Sequence, residues 1–156
     1  MDLSDLLSKE AVIANLKVSS KKQAIQELAA KAAQVTGLTE REIFETLLQR
    51  ERLGSTGVGH GVAIPHGKLT TLDHLVGVFA RLEQPVDFDS LDDLPVDLVF
   101  LLLAPEGAGA DHLKALARIA RQLRDTNVAS GLRSATDAET MYTLLTQPIA
   151  SSSNAA

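Results

Sequence analysis

Two runs of the chain are apolar on both faces, and they constrain the fold more than any other feature. Leu75 to Leu82 is apolar on both faces of a strand, and Val96 to Ala104 nearly so. Such strands belong inside a sheet that helices cover on both sides. The helices are punctuated in the sequence. Ser20-Lys21-Lys22-Gln23 matches a capping box, followed by Ala24, Ile25, Leu28, Ala29, Ala32 and Val35 at helical spacing, with Gly37 as the stop. Thr39-Glu40-Arg41-Glu42 is a second capping box, with Ile43, Phe44, Leu47 and Leu48 on the apolar face and an end at Gly54. Asp111 is the expected N-cap of a helix bearing Leu113, Leu116, Ala117, Ile119, Ala120 and Leu123. A short helix is expected near Val128 to Leu132. Thr136-Asp137-Ala138-Glu139 then opens a last one carrying Met141, Leu144 and Leu145. Ala11 to Val18 and Gly61 to Pro65 read as further strands, and Asp2 to Leu7 as one helical turn. The expected fold class is α/β: one domain over residues 1–147, a mixed β-sheet of about five strands flanked by helices on both sides, and a flexible tail over 148–156.

Composition narrows the chemistry. With 156 residues, 45% hydrophobic and 22% charged, the chain suits one soluble domain with a sizeable core. A net charge of −5 argues against nucleic acid, whose binding requires Lys and Arg to neutralise phosphates. The absence of cysteine excludes disulfides, thiolate metal sites and thiol nucleophiles. The longest clean apolar run, Leu98 to Ala104, is far short of the roughly 18 residues that cross a bilayer, so no membrane insertion is expected. The N-terminus lacks the basic and apolar regions of a signal peptide, and the expected location is cytoplasmic. Asp87, Asp89, Asp92, Asp93 and Asp97 cluster between the two apolar strands and read as a solvated connection.

Imidazole is the obvious nucleophile near neutral pH in a chain with four histidines and no cysteine. The stretch Gly54-Ser55-Thr56-Gly57-Val58-Gly59-His60-Gly61-Val62-Ala63-Ile64-Pro65-His66-Gly67-Lys68 leads a glycine-rich, hydroxyl-bearing loop into a histidine set between proline and glycine. Pro65 stiffens the backbone that presents His66. The loop offers N–H groups, with the hydroxyls of Ser55 and Thr56, as an anion cradle. The competing reading of His66 is a turn histidine bonded locally. His112, after the proposed cap, stands at a helix start where N–H groups face anions, or is simply solvated there. His60 and His74 read as surface residues. Arg50 and Arg52 both suit a helix C-terminus, and projection at 100° per residue separates them only weakly. Glu51 falls on the apolar side of that helix and requires a partner. The loop fails the G-x-G-x-x-G and Walker A patterns. No metal is expected: His60 and His66 do not form H-E-x-x-H, and Pro65 prevents a helical face between them.

The segment from Arg50 to Lys68 resembles the signature of the fructose/mannitol-type enzyme IIA domains of the bacterial phosphotransferase system. Within that group it is most similar to the nitrogen-regulatory type. The resemblance runs from Leu3 to about Gln147 and includes Pro95 to Phe100 and His112 to Ala117. It implies that His66 accepts a phosphoryl group, at Nε2, from an HPr-like phosphohistidine carrier. It further implies that His112 and Arg50, rather than Arg52, line the pocket, and that Ser55, Thr56 and Gly57 help to bind phosphate. No cofactor is implied. On this resemblance the chain is a regulatory phosphocarrier whose phosphorylation state controls target proteins. One alternative is a sugar-transport enzyme IIA that passes phosphate to a IIB domain, and another is a non-enzymatic anion-binding module. The Gly54-Ser55-Thr56-Gly57 form of the loop, and a single domain without an attached IIB segment, favour the regulator.

Overall fold

A computed structural model describes residues 2–149 of the chain; most of the expected tail lies outside them. Its spine is an antiparallel pair, β5 (Val76–Val86) and β6 (Val96–Pro105), in register from Val76 opposite Leu103 to Arg81 opposite Leu98. Leu98 through Ala104 are all fully buried, as a strand with two apolar faces demands. A parallel strand β1 (Val12–Leu16) flanks β5. On the other side of β6, three short strands follow the glycine loop: β2 (Gly57–Gly59), β3 (Val62–Ala63) and β4 (His66–Leu69). The order is β1-β5-β6-β3-β2, with β4 also paired to β6. The sheet is therefore mixed, as expected, with six strands described.

Among the described residues, five α-helices pack around it. Two lie together, α1 (Lys21–Thr36) and α2 (Glu40–Arg52), with α1 against β5 and α2 against β4. The others, α3 (Ala110–Arg124), α4 (Thr126–Ser134) and α5 (Ala138–Thr146), pack in succession and close on β1 through α5. The caps of α1 are those expected: Ser20 accepts from the Gln23 N–H at 3.1 Å, and Gly37 ends the helix at φ 78°. Three other cap assignments require correction. Thr39 is the N-cap of α2 as expected, but its side chain makes no cap bond, so the capping box does not form. Helix α3 begins two residues earlier, with Gly109 as N-cap, so Asp111 lies in the first turn. The cap of α5 is Asp137 instead of Thr136, its carboxylate accepting from the Thr140 N–H at 2.8 Å.

The chain around the glycine loop is more regular than its composition suggests. Residues Gly57–Ala63 form a tight hairpin, with His60 and Gly61 both at positive φ as in primed two-residue turns. The strand expected over Gly61 to Pro65 is broken by Pro65, which has no N–H for the ladder. Its carbonyl still accepts from the Leu102 N–H at 2.9 Å, and pairing with β6 resumes at His66 opposite Leu102. His66 thus opens a strand of its own. Gly67 lets β4 press against α2: a Cβ there would stand 2.7 Å from Thr46 Cγ2.

Glu51 continues the buried stripe of Ile43 and Leu47 on α2, and its partner comes from α1. Lys21 Nζ lies 2.9 Å from the carboxylate, which also accepts from the Thr56 N–H at 2.8 Å and the Thr56 hydroxyl at 2.7 Å. Removing one member of a buried pair strands the other charge. Lys21→Met is expected to cost about 3 kcal/mol of stability. Lys21→Met combined with Glu51→Gln should recover part of that loss, because a neutral amide oxygen still accepts from Thr56. Urea unfolding of the two variants beside the wild type measures both numbers.

Candidate functional site

His66 and Arg50 meet because α2 ends where β4 begins. Arg50, in the last turn of α2, donates from Nε to His66 Nε2 at 3.3 Å and from Nη1 to the Gly54 carbonyl at 2.9 Å. The opposite edge of the ring is held by its own backbone: His66 Nδ1 is 2.8 Å from the Ile64 carbonyl oxygen. A carbonyl only accepts, so Nδ1 carries the proton and Nε2 carries the free lone pair. The geometry selects one tautomer and aims its nucleophilic nitrogen at a guanidinium.

The second imidazole comes from the start of α3. His112 is buried, and its ring centroid lies 5.6 Å from that of His66, tilted by 55°. Its Nε2 is buried without a hydrogen-bond partner among the described residues. Buried polar atoms are rarely left so. The unsatisfied nitrogen belongs to a ring that stands directly beside that of His66.

Burial and neighbouring charges both favour the neutral form of each ring. Burial lowers the His66 pKa below the ordinary 6.5, and the Arg50 charge lowers it further, against the raising influence of the Ile64 carbonyl and Glu51. The His112 pKa is lowered by burial, then by His66 and Lys68. Nearby cations that disfavour an imidazolium favour an anion in the same place.

The loop hydroxyls are engaged elsewhere. Ser55 Oγ donates to the Phe88 carbonyl and accepts from the Gly57 N–H, and the Thr56 hydroxyl is bound to Glu51. Both shape the loop; neither hydroxyl is free in this state. Val62 and Leu69 are core residues, whereas Val58 is 55% exposed. Arg52 is exposed and makes no bond to His66, so the structure brings Arg50 alone of that pair to the ring. His60 sits at the hairpin tip and His74 is bonded to Asp73, both exposed. Sequence reasoning missed Lys21 as the partner of Glu51. It also missed that the acidic connection staples the hairpin: Asp92 accepts from the His60 N–H at 2.9 Å, and Asp97 pairs with Arg133. Among the described residues no group of three His, Cys, Asp or Glu is placed to hold a metal ion, and no helix is long and apolar enough to cross a membrane.

Because the folded ring binds its proton more weakly than an unfolded one, His66 contributes stability that is complete above about pH 6.5 and declines as pH falls towards its folded pKa. NMR titration of the imidazole should give a midpoint below 6.5 in the wild type. Arg50→Ala should raise it partway, since burial, the larger cause, remains.

The chain matches the family described as "Phosphoenolpyruvate-dependent sugar phosphotransferase system, EIIA 2" over residues 5–147. It is 64% identical over 148 residues to a nitrogen regulatory protein of Bradyrhizobium diazoefficiens, covering 95% of this chain and 97% of that one. The crystal structure of nitrogen regulatory protein IIA-Ntr from Neisseria meningitidis superposes with a TM-score of 0.88 at 35% identity, covering 92% and 99% of the two chains. The enzyme IIA mannitol–phosphorylated IIB mannitol complex from Escherichia coli contains a chain of the same fold, with a TM-score of 0.76 at 23% identity over 90% of this chain and 98% of that one. By sequence and by fold, the chain belongs to the EIIA type 2 family of the phosphotransferase system.

Proposed function

We propose that the chain is a regulatory phosphocarrier: His66 takes a phosphoryl group from an HPr-like phosphohistidine protein, and the phosphorylation state decides which target proteins are bound. The observation that carries this reading is the His66 ring itself, clamped at Nδ1 by the Ile64 carbonyl with its Nε2 lone pair turned to Arg50. A nucleophile held by backbone needs no proton transfer before it attacks.

In the transfer, His66 Nε2 forms a bond to phosphorus as the donor's N–P bond breaks, and the donor's imidazole leaves as a neutral ring. The phosphorylated His66 ring keeps its Nδ1 proton and gains positive character, which the Ile64 carbonyl stabilises. Arg50 gives up its bond to Nε2 and turns its N–H groups to the phosphoryl oxygens. His112 supplies a further donor from its unpartnered Nε2, once that nitrogen carries the proton. The loop contributes backbone N–H groups, with Ser55, Thr56 and Gly57 holding its shape. The transferring group carries its own driving force, so position and charge are what the protein adds. The 64% identical relative bears the name nitrogen regulatory protein, which supports the regulator over the sugar-transport reading.

Incubation with a phosphorylated HPr-like protein, followed by intact mass, tests this. One acid-labile phosphoryl addition is expected on the wild type and none on His66→Ala. Arg50→Ala and His112→Ala should each slow transfer by about 10²-fold or more with melting temperature little changed. A phosphoryl gain that persists in His66→Ala would remove the proposal.

A further inference from the structure

Away from His66, a cavity of about 730 Å³ opens between the β2–β3 hairpin and the corner joining α3 to α4. Small-molecule sites occupy roughly 300–1,000 Å³. Its apolar wall is built from Val58, Val62, Ala120, Leu123 and Ala129. Three hydroxyls, from Thr126, Ser130 and Ser134, line it with Arg124 and Arg133, and Gly59 and His60 at the hairpin tip complete the lining. The chain carries 20 acidic residues against 15 Lys and Arg, yet no carboxylate lines this cavity among the described residues. Of the two guanidinium groups, that of Arg133 is neutralised by Asp97 behind the wall, which leaves Arg124 as the cation the lining offers.

The two arginines differ in what they do. Arg133 braces the wall, forking onto Asp97 at 3.0 Å and donating to the His60 carbonyl at 2.8 Å. Arg124 is exposed, and its side chain makes no hydrogen bond or ion pair among the described residues. Its planar fork fits a carboxylate in two-point contact. We infer that this cavity is a binding site for a small amphipathic monoanion, its apolar body on the Val58–Leu123 wall and its carboxylate on Arg124.

The elements that line the cavity also carry the two imidazoles. Helix α3 bears His112 in its first turn and Leu123 and Arg124 in its last, and the hairpin runs through Ile64 into His66. The cavity is nonetheless separate from the His66 site, and the inference does not rest on phosphoryl chemistry.

Decanoate is the probe, titrated into the full ¹⁵N-labelled chain, with decanol testing the body alone and acetate the head alone. Saturable amide shifts are expected at Val58, Val62, Leu123 and Ala129. Decanoate should bind at least about tenfold more tightly than decanol or acetate, and Arg124→Glu should weaken it by about tenfold or more. No saturable shift up to about 1 mM decanoate would overturn the inference. Shifts centred on the exposed Leu91 and Leu94 would also do so, as would an affinity indifferent to Arg124→Glu.

Discussion

The Glu51 carboxylate is where two helices and the glycine loop are tied together. Its side chain is 5% exposed, and it receives a lysine from α1 and two donors from Thr56, while its own backbone closes α2. Burial of an ion is tolerable only when its lone pairs are filled, and here three donors fill them. The consequence is positional. With Glu51 anchored, the neighbouring Arg50 must leave the helix on a different bearing, and that bearing ends at His66 Nε2. The same bonds fix the first turn of the loop, so the chain enters the β2–β3 hairpin from a defined direction. A carboxylate that performs no chemistry thus sets the position of the residues proposed to perform it.

Beyond that anchor, the site depends on the sheet. Strand β6 is fully buried from Leu98 to Ala104 and holds β3 and β4 along one edge, with Pro65 interrupting the two. The interruption presents His66 at a strand start, where its own backbone reaches Nδ1. Three elements then supply three groups: α2 gives Arg50, β4 gives His66 and α3 gives His112. Each pushes in one direction electrostatically. Burial and positive neighbours lower the pKa of both imidazoles and so favour their neutral forms.

Much of this architecture could be read from residue patterns. The doubly apolar runs became β5 and β6, and Ser20 and Gly37 bracket α1 as their types require. Glu51 on an apolar face announced a buried partner, although pairing over thirty positions in sequence (51 − 21) has no local signal. The misplaced caps share one cause. Asp111 and Thr136 are good capping types, but other residues hold the cap positions: the carboxylate of Asp137, and two positions before Asp111 a glycine at 109 whose φ of 55° and ψ of −119° few other residues adopt. The β2–β3 hairpin was hidden because glycines that signal a loop also permit a primed turn. Helical projection left Arg50 and Arg52 unresolved; only the packing of β4 on α2, permitted by Gly67, separates them. The hydroxyls of Ser55 and Thr56 suggest an anion-binding role by composition, and in the fold they are bonded to the Phe88 carbonyl and the Glu51 carboxylate.

The central claim is that the fold chooses which nitrogen of His66 reacts, by engaging Nδ1 with the Ile64 carbonyl. Long-range ¹H–¹⁵N correlation of the isotope-labelled protein, recorded before and after reaction with a phosphorylated HPr-like donor, reads this directly. The account predicts a protonated Nδ1 throughout and phosphorus attached to Nε2 of His66. Phosphorus on Nδ1 of His66, or on His112, would contradict it.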